Sequence, residues 1–368
     1  MSRPGTHKPR RPVRAGEKND RATIVISGRE IGLGRPAFII AEVAQAHDGS
    51  LGTAHTFIEV AADAGADAIK FQTHIAAAES TLDERFRVHF SAQDETRYAY
   101  WRRMEFTSEQ WRGLADHARE RQLVFMSSAF SLEAVHLLAD LGVPAWKVGS
   151  GEIASADLIE AMCDTGAPIL LSTGMSGWAE IEAAVARVRA LGAPLALLQC
   201  TSRYPTPIEQ VGLNVLDEMR ARFGVPVGLS DHSGTPWPAL AAMARGAAAL
   251  IEVHLTLHRK AFGPDVPASL TPDQLRLLVE ARDAFATMDA HPVDKNALAD
   301  DLEPMRALFG KSLAPTRPLR RGEVLTSDML TLKKPGSGIA GHDAEKVIGR
   351  ILQRDVSPDH LLRWDDFE

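Results

Sequence analysis

Glu42, Lys70, Lys147, His232 and His254 are the residues whose types could do chemistry together. Two neutral imidazoles such as His232 and His254 suit a divalent ion such as Mn, Zn, Fe or Co, with positions left open for substrate or water. A carboxylate beside them, Glu42, could steer a water or act as a general base. Lys70 and Lys147 are expensive to bury unless an anion balances them. Ser128, Ser150, Ser172 and Ser230 add neutral donors, and the set makes a cradle for a phosphate plus a carboxylate. A Schiff-base lysine is the other reading of a buried Lys, and it needs no metal pair. One Ser at a strand end is more often a turn or cap. One His near a core is more often hydrogen-bonded than metal-bound. The weight therefore rests on the set.

The elements that must position these residues repeat monotonously. Short apolar runs occupy 36–44, 67–73, 123–129, 145–151, 168–174, 195–201, 225–231 and 250–256, each followed by an amphipathic stretch. Near-continuous apolar runs are expected of parallel strands covered on both faces. Eight β/α units predict a closed (β/α)8 TIM barrel, whose active site lies at the C-terminal strand ends. Polar residues stand at all eight of those ends, among them His47, Asp48, Gln72, His74, Ser202, Tyr204 and Glu252. Residues 23–34 read as a preceding hairpin with its turn near Ser27-Gly28. The long connection 75–106 is expected at the catalytic face.

Beyond about residue 300 the texture changes to short strands and turns. The segment around Leu319–Leu325 before Asp328 resembles that around Val356–Leu362 before Asp365, an internal duplication. The expected organisation is a basic, disordered leader over 1–20, a barrel over 21–295, a linker over 296–306 and a small β-rich domain over 307–368. A net charge of −7 excludes a molecule built as a polyanion binder, so no nucleic-acid partner is expected. No apolar run reaches the roughly 18–20 residues of a membrane span, and no membrane partner is expected. Two unpaired-looking cysteines, Cys163 and Cys200, fit a reducing, cytoplasmic compartment.

Read together, AEVAQAHDGSLG, AIKFQTH, KVGSGE, LLSTGM, CTSRYPTP, GLSDHS and the Glu-x-His of the eighth strand resemble the sialic acid synthase family, and KPGSGI resembles the loop of its C-terminal antifreeze-like (SAF) domain. The resemblance covers about 35–366. It implies a transferase that joins phosphoenolpyruvate to an amino sugar, with C–O cleavage releasing phosphate. The implied cofactor is a divalent metal held by His232 and His254, manganese ahead of magnesium, cobalt, zinc or iron. The implied phosphoenolpyruvate contacts are Lys70, Ser128, Lys147, Ser150, Ser172 and Ser230. Gln72, Tyr204 and Asp265 match positions that hold the sugar, and Glu42 the carboxylate near the reacting carbons. The family's SAF domain covers the partner's active site in a swapped homodimer.

Three departures bear on the sugar: Ala46 and Ser202 replace asparagines, and Lys334 replaces an arginine whose planar fork Lys lacks. A related synthase acting on a sugar phosphate would need arginines at the mouth, and few are evident in the sequence. A non-catalytic binding protein and an ice binder are the readings from other classes.

Overall fold

A computed structural model describes residues 22–368 except 89 and 92. The leader expected over 1–20 lies outside the described residues. The chain divides into two compact units, 1–290 and 291–368.

The first unit opens with two short strands, β1 (Ile24–Ile26) and β2 (Arg29–Ile31), paired antiparallel with Ile24 opposite Ile31. Ser27 and Gly28 both take positive φ, 48° and 78°. That is the turn whose twist matches a two-residue hairpin. The barrel strands follow: β3 (Phe38–Ala44), β4 (Ala68–Thr73), β5 (Val124–Ala129), β6 (Trp146–Val148), β7 (Ile169–Ser172), β8 (Leu195–Cys200), β9 (Val227–Asp231) and β10 (Leu250–His254). They close in the order β10-β3-β4-β5-β6-β7-β8-β9, and every pairing is parallel. The TIM barrel expected from the eight apolar runs is therefore present.

Side chains alternate between two apolar environments, as the period of two requires. One set, including Ile39, Ala41, Ile69, Phe71, Ile251 and Val253, packs against the surrounding helices. The other set fills the barrel's lower interior with Phe38, Ile40, Ala68, Met126, Leu198 and Leu250, joined by Ile24, Ile26 and Ile31 of the hairpin. The hairpin thus plugs the N-terminal end of the barrel. Gly228 belongs to the inward set because a Cβ there would meet the Leu250 carbonyl at 2.5 Å and Leu198 Cδ2 at 2.6 Å. Two residues further along each strand the inward positions turn polar, which places the chemistry at the C-terminal mouth.

The second unit is described by itself. Residues 296–306, expected as a linker, carry two short helices, Lys295–Asp301 and Glu303–Phe309. Asp294 caps the first through Asn296 and Ala297, and Pro304 sits in the first turn of the second, where its missing N–H costs nothing. Strands β11 (Ser312–Pro315) and β12 (Leu330–Lys333) pair antiparallel. Leu319 bridges Val356, so the two sequence repeats lie side by side. Each repeat closes on a 3-10 turn, Ser327–Met329 or Trp364–Asp366. Leu313, Leu319, Leu325, Val347, Leu352 and Leu362 form the unit's own small core.

Candidate active site

The polar inward layer converges on a cavity of about 540 Å3 at the C-terminal ends of the barrel strands. Strand register decides which residues meet. Glu42 on β3 lies between His254 on β10 and Lys70 on β4. Gln72 pairs with Ser128, Ser128 with Lys147, and Cys200 with Ser230. Glu42, Lys70, Gln72, Ser128, Lys147, Ser150, Ser172, Ser202, Tyr204, Ser230, His232, His254 and Asp265 all line the cavity. Lys334 belongs to the second unit, where its ammonium lies 5.7 Å from the centroid of the Phe309 ring.

One end of the cavity is built around the two lysines. Lys70 Nζ lies 2.5 Å from Glu42 Oε2 and 3.7 Å from Glu252 Oε2, and it donates to Ser128 Oγ at 3.3 Å. Lys147 Nζ lies 3.5 Å from Glu252 Oε1, which also accepts from Ser230 Oγ at 2.9 Å. Ser172 Oγ is buried with no partner and lines the cavity, a donor with nothing yet to serve. Burial pushes the Glu42 carboxyl up to about 7 against the pull of Lys70. Burial acts on Glu252 too, but Lys147, then Lys70, then the Ser230 hydroxyl overcome it and hold that carboxyl down at about 2. Burial pulls the Lys147 ammonium below its usual range, whereas for Lys70 the two carboxylates outweigh burial and raise it.

At the opposite side, the His232 and His254 rings stand 5.1 Å apart between centroids. Burial first, then each ring's charged or imidazole neighbours, drives both down to about 3, so both are neutral at physiological pH. Neutral imidazoles are the ligating form. Two rings bound through nitrogens at about 2.1 Å to one ion would have centroids about 5 Å apart, so the pair fits a shared divalent ion. Among the described residues no group of three His, Cys, Asp or Glu side chains could hold a metal, so the two imidazoles are the only ligands such a site would draw from this set. Tyr204 covers the pair, 4.3 Å from His232 and edge-on to His254 at 5.8 Å.

Several residues did not behave as their sequence positions suggested. His47 follows β3 but lies buried 4.8 Å from the Phe106 ring, with Nδ1 accepting from Gly49 N, and it does not line the cavity. Asp48 pairs with Arg103. Ala46, the first departure, packs against the apolar layer between strands and helices. Between Glu42 and Ala44 the register of β3 shifts, and Ala44 takes a left-handed φ of 47°, a local strain of the kind that accumulates at functional sites. Glu252 received no role in sequence, although its position two residues before His254 puts both on the inner face. Arg87 and Arg97 correct the expectation of few arginines at the mouth. Both come from the 75–106 connection and line the cavity, paired with Asp265 at 2.8 Å and Glu84 at 3.0 Å. Irregular loops carry no periodicity that would have placed them.

The chain matches the NeuB family over residues 57–292 and the SAF domain over 310–368. It is 32% identical to N,N'-diacetyllegionaminic acid synthase of Campylobacter jejuni, over 89% of this chain and 99% of that protein. It is 34% identical to human N-acetylneuraminate-9-phosphate synthase, over 91% of this chain and 94% of that protein. The N-acetylneuraminic acid synthetase of Leptospira borgpetersenii, solved with citrate, superposes with a TM-score of 0.67 at 29% identity, over 79% of this chain and 99% of that one.

Proposed function

The chain belongs to the NeuB family, and on that premise we propose that it condenses phosphoenolpyruvate with an amino sugar, N-acetylmannosamine or a related one, and water, giving a sialic-acid-type nonulosonic acid and phosphate. The observation that carries the reading is the position of Glu42, between a buried lysine pair on one side and a neutral imidazole pair on the other. Two different substrates, one anionic and one polar and uncharged, need those two halves.

Lys70, Lys147 and the serine hydroxyls would hold the phosphate and carboxylate of phosphoenolpyruvate. A divalent ion on His232 and His254 would act as a Lewis acid toward the sugar's aldehyde. The C3 methylene attacks the aldehyde carbon, and Lys70 and Lys147 stabilise the negative groups throughout. C2 then takes up the oxygen of a water whose proton Glu42 accepts, a task suited to a carboxyl titrating near the working pH. The bond between C2 and the bridging oxygen of the phosphate then breaks as the new C2 hydroxyl gives up its proton and closes to the keto group, and phosphate leaves; the proton taken by Glu42 ends on the former aldehyde oxygen, which becomes a hydroxyl. Glu252 is the counter-ion that both lysines share between turnovers. Family resemblance also supports a homodimer in which the SAF unit of one subunit covers the barrel mouth of its partner. Light scattering tests the stoichiometry, and a monomer at micromolar concentration would refute it. The two free, buried cysteines agree with action in the cytoplasm, and no helix among the described residues is long and apolar enough to cross a membrane.

The test is phosphate release from phosphoenolpyruvate in the presence of Mn, across a panel of acylamino sugars and mannose. Release with one sugar, together with a nine-carbon acid by mass, is the expected result. Folded, metal-loaded protein that releases phosphate with none of them would refute the reaction.

A further inference from the structure

Arg87 lines the mouth of the cavity, on the 75–106 connection expected at the catalytic face, although no sequence signal singled out the residue itself. Its Nη2 donates to Asp265 Oδ1 at 2.8 Å, across 178 residues of chain. Its guanidinium carbon stands 4.5 Å from the centroid of the Tyr204 ring, a cation–π distance. Tyr204 in turn touches His232 and His254, so Arg87 sits one layer above the imidazole pair. The Arg87 side chain is 44% exposed while Asp265 is 19% exposed. A guanidinium has five N–H donors, the Asp265 hydrogen bond uses one of them, and Arg87 lines the cavity.

The pair carries no net charge, and Arg97 is likewise engaged with Glu84. The mouth is therefore a fixed donor beside a fixed acceptor. That arrangement complements an amide, whose carbonyl oxygen accepts and whose N–H donates. It does not complement a phosphate, which the Asp265 carboxylate would repel. We propose that Arg87, with Asp265, reads the acylamino substituent of an uncharged acceptor sugar: Arg87 donates to the acyl oxygen and Asp265 accepts from the amide N–H. The inference rests on the reaction proposed above and names the acceptor class that reaction takes.

Arg87→Ala and Arg87→Lys are compared with the unaltered protein, Mn-loaded, in two measurements. In phosphate release, Arg87→Ala is expected to raise KM for the acylamino sugar about ten- to a hundredfold, with no matching rise for phosphoenolpyruvate. The preference for N-acetylmannosamine over mannose should shrink by a similar factor. Arg87→Lys should recover little of either, because it keeps the charge without the fork. Equal rises in both KM values would overturn the inference, as would an unchanged sugar preference or better use of N-acetylmannosamine 6-phosphate than of the free sugar. Calorimetric titration with N-acetylmannosamine reads the contact without turnover. Binding at least tenfold weaker in Arg87→Ala sustains it, whereas equal affinity, or no binding to either protein, overturns it. Intact sugar binding without phosphate release would count against the proposed reaction and leave the contact standing.

Discussion

Replacing either His232 or His254 with alanine is expected to cut metal-dependent turnover by on the order of 10^3 or more, because each imidazole is half of the ligand pair proposed for the divalent ion. The loss should appear in two readouts. Bound divalent ion, measured by mass spectrometry after dialysis, should fall from near one per chain to near zero. Phosphate release should fall with it and not return on adding Mn to micromolar excess. The fold should survive, because each ring lies at the cavity wall, beyond the apolar interior of the barrel. Melting temperatures within a few degrees of the unaltered protein would establish that. Full turnover of either variant in the presence of a chelator would sink the metal assignment.

Lys70→Met is expected to weaken phosphoenolpyruvate binding strongly and to make stability more sensitive to pH. Lys70 contacts both Glu42 and Glu252 in a fully buried setting. Removing one partner of a buried ion pair typically costs about 3–5 kcal/mol, because a charge is left unpaired. Here Glu42 offers an escape, since burial already lifts its carboxyl from the ordinary 4.5 to about 7. Without Lys70 that carboxyl rises further and stays protonated. The folded state then holds a proton that the unfolded chain has lost. Stability therefore declines as pH rises from about 4.5 through the folded value, the sign expected for a raised carboxyl. Lys70→Met should melt progressively lower between pH 6 and 8, and more steeply than the unaltered protein. Phosphoenolpyruvate titration should show affinity reduced by about 10^2–10^3. Unaltered affinity would remove Lys70 from the anion cradle, and a flat pH dependence would mean that Glu42 keeps its charge through some other partner.

The barrel was readable because a parallel strand covered on both faces leaves an uninterrupted apolar run, and eight such runs admit few architectures. The inner face was readable as well. Lys70 and Gln72, Ser230 and His232, and Glu252 and His254 each lie two residues apart, so a strand turns both members of a pair the same way. The polar character of the mouth followed from residue type at those positions. Glu252 shows where this stops. Its direction was available from spacing, but its work as counter-ion depends on Lys70 and Lys147, which arrive from β4 and β6 through barrel closure. His47 stops short in the opposite way. The irregular chain after Ala44 turns it outward onto Phe106, and no alternation survives past a register shift. Residues 296–306 read as a linker because short helices with exposed faces leave no apolar periodicity. Arg87 and Asp265 lie 178 positions apart, and local sequence holds no trace of such a pairing. Local patterns set which faces are buried, whereas contacts between distant loops arise only when the closed barrel brings their ends to one mouth.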